Sequence, residues 1–127
     1  MEHIVLVLIL IPVMLLLGMQ WLAQRRARLS IGRQVSVDEP TMRGEQKQIY
    51  FFHATHCGPC RAIKPLVQRL SGEYPNLVLV DVVEEPEQAR EFGIAATPSF
   101  IVVKRATISE VKLGTVSESW LRTRLAD

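Results

Sequence analysis

Three regimes of hydrophobic and polar patterning follow one another along this chain. Residues 4–19 carry no charge and, Pro12 and Gly18 aside, are all apolar. With Gln20 tolerated, the run continues through Trp21 and Leu22 to Ala23, about 20 residues, which suffices to cross a bilayer as a helix. Residues 30–46 are polar and interrupted by Gly32, Pro40 and Gly44. They predict a tether that spaces the next part from the membrane, with a short strand at 34–37. From Lys47 onward the apolar positions return at two different periods. Residues 47–54, rich in β-branched and aromatic side chains, predict a buried strand. Ile63, Leu66, Val67 and Leu70 recur at helical spacing and predict a helix over 59–74. The run 77–83 is almost continuously apolar, as in a strand buried on both faces. A short helix at 87–92, a hairpin of strands 99–104 and 108–113, and a helix at 117–125 complete the order. In the last helix Ser117 is the expected N-cap, and Trp120, Leu121 and Leu125 form the apolar face. The sequence β-α-β-α-β-β-α implies parallel strands joined by a helical crossover, with an antiparallel hairpin added.

Flanks and charge refine this picture. A cleaved secretory signal would carry a basic start and a small-x-small cleavage site. Met1-Glu2-His3 and Gly18-Met19-Gln20-Trp21 supply neither, and Trp21 suits an interfacial anchor. The expected organisation is therefore a transmembrane anchor at 1–24, a basic and polar tether at 25–46, and a folded domain at 47–127. The formal charge is +2, but Arg25, Arg26, Arg28 and Arg33 crowd behind the apolar run. From Gln34 onward 11 basic residues face 12 acidic ones, so no basic face for nucleic acid is expected. The arginines read as a stop-transfer flank in contact with the bilayer. By the positive-inside rule they place the folded domain in the cytoplasm, with a periplasmic or other extracytoplasmic location as the alternative. The domain, about 80 residues, is large enough for one core.

The chemistry concentrates in one place. Cys57 and Cys60 are the only cysteines, in the run His53-Ala54-Thr55-His56-Cys57-Gly58-Pro59-Cys60. A strand is predicted to end just before Cys57 and a helix to begin just after it. Unpaired N–H groups and the helix dipole there favour a thiolate over a thiol. Cys57 is thus the expected nucleophile, and Cys60, one turn further in, the resolving thiol. Gly58 is expected to let the backbone turn tightly, and Pro59 lacks an N–H that the first helical turn would leave orphaned. A structural disulfide closing so short a loop would remove little chain entropy. Zinc is the competing reading, because His53, His56, Cys57 and Cys60 supply four possible ligands. The strand alternation and the rigid Gly-Pro link speak against their convergence. His56 is a candidate for tuning the couple as a nearby imidazolium, and His53 is either a second tuning group or a packed strand-end side chain.

The tetrad Cys57-Gly58-Pro59-Cys60 resembles the active site of the thioredoxin family. Pro65 fits the proline of the active-site helix in that family, and Phe92-Gly93-Ile94-Ala95-Ala96-Thr97-Pro98 fits the segment leading to its cis-proline. Gly114, Ser117 and Leu121 fit the start of its last helix. The resemblance spans about residues 47–127. It implies an α/β thioredoxin-like fold: a central mixed sheet flanked by helices, with the family's N-terminal strand and helix shortened and replaced by the tether. It also implies thiol–disulfide exchange on protein disulfides, with Thr97 and Pro98 holding the substrate strand. No organic cofactor or metal is called for beyond the redox-active Cys57–Cys60 pair; electrons would come from an upstream dithiol protein. The expected partners are thus protein disulfides, that reductant, and the bilayer through residues 4–23. The chain departs from the family at His56 and His53, where aromatic residues are usual, and at the turn Lys104-Arg105-Ala106-Thr107. It departs also at Phe51, where the family keeps a buried carboxylate. Glu84 and Glu85 are candidates to replace that acid, or simply a solvated loop.

Overall fold

The computed structural model describes residues 1–37 and 47–126. Among the described residues eight elements appear in the expected order: α1 (Glu2–Leu29), β1 (Lys47–His53), α2 (Gly58–Glu73), β2 (Leu77–Asp81), α3 (Pro86–Glu91), β3 (Ser99–Lys104), β4 (Thr107–Leu113) and α4 (Glu118–Ala126). The strands form one mixed sheet in the order β2-β1-β3-β4. β2 runs parallel to β1, so the connection between them is the crossover through α2, whereas β3 and β4 are antiparallel neighbours.

The pleat of β1 explains why its sequence is apolar without interruption. Ile49 and Phe51 point to one face and join Ile63, Val67 and Leu70 of α2 and Leu121 and Leu125 of α4 in a first core. Tyr50 and Phe52 point to the other face and pack with Val80, Phe92, Ile101, Val103 and Ile108 in a second. Period-2 alternation thus feeds two cores at once. Phe92 lies against both Tyr50 and Phe52, at ring separations of 4.8 Å and 5.1 Å. On the first face Phe100 lies 4.9 Å from Phe51, and Trp120 meets Phe100 edge-on.

Several boundaries move from their expected positions, each for a local reason. β2 stops at Asp81 because that side chain turns the chain: its Oδ1 accepts from Val83 N at 2.8 Å and Glu84 N at 3.3 Å. β2 is also an edge strand among the described residues and only partly buried, not a strand covered on both faces. Ser117 caps α4 as expected, its Oγ accepting from Trp120 N at 3.2 Å. The hairpin turn places Arg105 and Ala106 at φ of 52° and 59°, the left-handed pair that a two-residue turn requires and that Asn-Gly usually supplies.

The largest departure concerns the stretch expected to be a spacer. α1 does not end with the apolar run but continues through the arginines to Leu29. Ala27 and Ser30 are buried, at 5% and 3% exposure. Gly32 N donates to Ile108 O at 2.8 Å, Ile108 N to Arg33 O at 2.9 Å, and Val35 N to Ala106 O at 2.8 Å. These bonds lay residues 32–35 along the start of β4, with a single bridge at Gln34–Thr107 in place of the expected strand 34–37. Val35 enters the second core. Ser30 Oγ and Arg33 Nη1 donate to the carbonyls of Gly93 and Glu91, and Ser36 N donates to the Glu91 carboxylate. Residues 30–36 are therefore part of the folded body. The rest of the expected tether, including Pro40 and Gly44, lies outside the described residues.

Candidate active site

β1 carries the chain to one end of the sheet, and the site is built there. His53, its last residue, is in register with Asp81 of β2, and Phe52 is in register with Ser99 of β3. Pro98, the residue before Ser99, therefore arrives at the same end. Beyond His53 the loop 54–56 leads directly into α2, as the change from a β-branched, aromatic run to helical spacing predicts.

Cys57 is the N-cap of α2, with extended backbone angles of φ −106° and ψ 112°. Its Sγ accepts from Cys60 N at 3.2 Å, and its carbonyl accepts from Arg61 N at 3.2 Å. A sulfur thus takes the place of the usual capping oxygen and meets the unpaired donors of the first turn. The two sulfurs are bonded to each other, with the Cα atoms 5.2 Å apart. Cys57 is partly exposed while Cys60 is 2% exposed. This asymmetry marks Cys57 as the sulfur an incoming group can reach. Pro59 occupies the first turn of α2, where its missing N–H leaves nothing unsatisfied. Gly58 does not have the role expected of it: it is helical, with ordinary φ, and a Cβ there would meet no atom within 4 Å. A side chain there would point into open space.

The Thr97–Pro98 bond is cis. Pro98 is buried and Thr97 partly exposed, and Pro98 O accepts from Gly114 N at 2.9 Å, which ties this segment to the end of β4. Ser99 Oγ closes the turn from the inside by donating to Ala96 O.

The histidines separate. His56 is exposed immediately before Cys57. His53 is 8% exposed, on the Phe51 face of the sheet, its ring 5.4 Å from that of Phe51. His53 Nδ1 stands 3.9 Å from Asp81 Oδ2. Burial holds the His53 imidazole below the usual histidine range, and the Lys64 ammonium of α2 acts in the same direction, opposed by Asp81 and Glu84. Phe51 is fully buried. Glu84 and Glu85 are exposed on the loop after β2, so neither supplies a buried acid. The group the sequence reading missed is Asp81, the sole acid in the apolar run 77–83, and its position there was the available signal. Among the described residues no three His, Cys, Asp or Glu side chains converge as metal ligands, so the four-ligand zinc arrangement is not assembled.

The thioredoxin family model matches residues 36–127. Thioredoxin-2 of Pyricularia oryzae is 47% identical over 55 residues, covering 42% of this chain and 32% of that protein. A thioredoxin of Aspergillus fumigatus is 37% identical over 82 residues, covering 60% of this chain and 76% of that protein. The chain thus spans about a third of the first relative's length and about three quarters of the second's. Among solved structures, Schistosoma mansoni thioredoxin superposes with a TM-score of 0.57 at 32% identity, covering 67% of this chain and 79% of that one. Fold, cysteine spacing and family match agree, and the chain belongs to the thioredoxin family.

Proposed function

We propose that this protein is a thiol–disulfide oxidoreductase that reduces protein disulfides and is held to a membrane by α1. The carrying observation is the Cys57–Cys60 disulfide at the N-terminus of α2, with one sulfur accessible and the other buried. In the reduced protein, the Cys57 thiolate attacks a substrate disulfide, forming a mixed disulfide and releasing one substrate thiolate. The Cys60 thiolate then attacks the Cys57 sulfur. This releases the second substrate thiol and leaves the Cys57–Cys60 disulfide. Two electrons have passed to the substrate, and an upstream dithiol protein restores them. Substrate backbone would lie across Thr97 and Pro98, at the same end of the sheet. His56, exposed just before Cys57, and His53, buried beside Asp81, are the two groups we propose to tune the couple.

The anchor reading rests on α1, a 28-residue helix whose apolar window is unburied and long enough to span a bilayer. The arginine flank favours a cytoplasmic domain. Insulin reduction by wild type and Cys57→Ser tests the chemistry: the substitution should abolish turnover, and surviving activity would remove Cys57 as nucleophile. Labelling of intact cells with a membrane-impermeant maleimide, with and without prior reduction, tests the side. Labelling only after permeabilisation is expected; labelling from outside would place the domain beyond the cytoplasm.

A further inference from the structure

The junction between α1 and the sheet bears on which disulfides the site can reach. Residues 4–23, about 20 residues at 1.5 Å each, account for a hydrocarbon core of about 30 Å. Ala27, four residues or about 6 Å later, is already buried where the end of α1 meets β4. The headgroup layer on one side of a bilayer is about 5–8 Å deep. The folded body therefore begins within the headgroups, with no free chain before it. The surface of the junction fits that depth. Leu29 and Ile31 are 74% and 48% exposed, apolar side chains that find cover at an interface. Arg25 and Arg26 lie just before them, Arg25 stacked on Trp21 at 5.2 Å.

The junction is also fixed. It is held by the bonds between residues 32–35 and 106–108, by Val35 in the second core, and by Ser30 against Gly93. Gly93 has φ of +66°, and a Cβ there would collide with Ser30 Oγ, so glycine leaves the room that Ser30 occupies. Thr107 pairs with Lys104, at the opposite end of β3 from Ser99 and Pro98. The site is thus about five strand residues, or roughly 17 Å of sheet, from the junction. A free tether of residues 25–46 would instead let the site range up to about 75 Å.

Resting on the membrane reading above, we infer that, among disulfides carried by membrane-resident proteins, the site serves those presented within about one domain diameter, roughly 30 Å, of the bilayer surface. The fixed junction works as a ruler that excludes disulfides held further out.

The test uses the pre-reduced full-length chain in liposomes, in single turnover against two synthetic transmembrane peptides. One carries a disulfide loop directly after its span. The other carries the same loop after a 50-residue continuous Glu/Ala/Lys helix, about 75 Å further out. Oxidation of Cys57–Cys60 should be at least tenfold faster with the near loop. A variant with 30 Gly/Ser residues inserted between Leu29 and Ser30 keeps residues 30–36 on the sheet and should lose most of that preference. Equal rates for wild type at both heights, or an undiminished preference in the insertion variant, would overturn the inference. Flotation separates the two layers. A chain that fails to float with the liposomes removes the membrane reading and this inference with it, while a floating chain with equal rates removes this inference alone.

Discussion

Replacing Gly93 by alanine probes the junction between α1 and the domain most sharply. At φ of +66° a Cβ costs about 1–2 kcal/mol in left-handed backbone alone. The same Cβ would stand 2.4 Å from Ser30 Oγ, and Ser30 is 3% exposed with little room to turn. Driving that hydroxyl off its rotamer adds about 0.5–1.5 kcal/mol. Losing its hydrogen bond to Gly93 O, now 3.4 Å, adds about 0.5–1.5 kcal/mol more. Gly93→Ala should therefore destabilise the full chain by about 2–5 kcal/mol. In a Ser30→Ala background the oxygen is gone, and the nearest remaining Ser30 atom, Cβ, is at 3.5 Å, an ordinary contact. There Gly93→Ala should cost mainly the backbone term, about 1–2 kcal/mol, because the one other close neighbour, Arg33 Nη1 at 3.1 Å, is the flexible end of a long side chain that can give way. The coupling energy, about 1–3 kcal/mol, is read from a double-mutant cycle by denaturant unfolding in detergent micelles. A coupling below about 0.5 kcal/mol would mean that Ser30 does not rest on Gly93, and the fixed junction would go with it.

Other perturbations test other parts of the structure. Leu121→Ala removes a fully buried side chain from the first core and should cost about 2–5 kcal/mol in thermal or denaturant unfolding; a cost below about 1 kcal/mol would deny α4 its place on the sheet. Ala106→Gly should stabilise the fold by about 0.5–1 kcal/mol, because it relieves a residue at φ of 59° while giving back part of the gain in unfolded-chain entropy. Loss of stability there would show that the turn is not left-handed. His53 predicts a pH dependence. Its pKa in the fold lies below the free value of 6.5, so the unfolded chain binds its proton first as pH falls. The His53 contribution is therefore fully present above pH 6.5 and is lost as pH falls through the folded pKa. Urea midpoints at pH 7.5 and 5.5 should differ less in His53→Gln than in wild type, and an unchanged difference would mean that His53 titrates as if exposed.

The element order was legible because β1 is a β-branched and aromatic run, α2 has helical spacing, and Cys57 falls where one gives way to the other; the division into two cores was not, since an uninterrupted apolar strand does not say which residues face which side. Ser117 was legible as a cap because its hydroxyl does what serine does at helix starts. The edge position of β2 was not, since an apolar run looks alike whether both faces are covered or one edge is free. Asp81 and His53 meet only through strand register, which two separate segments do not reveal. The docking of residues 30–36 left the faintest trace. It is made mostly by backbone N–H and C=O groups, which every residue carries, and by one close approach to Gly93 from 63 residues away. The lack of special backbone angles at Gly58 was likewise hidden, because glycine tolerates a helix start as readily as a tight turn.

Trapping of the mixed disulfide tests the chemistry most directly. The reduced full-length Cys60→Ser and Cys57→Ser variants would each be incubated with oxidised insulin and examined by non-reducing mass spectrometry. Attack by an accessible Cys57 predicts a covalent insulin adduct on Cys60→Ser, joined through Cys57, and none on Cys57→Ser. An adduct that forms on Cys57→Ser instead, or on neither variant, would contradict it.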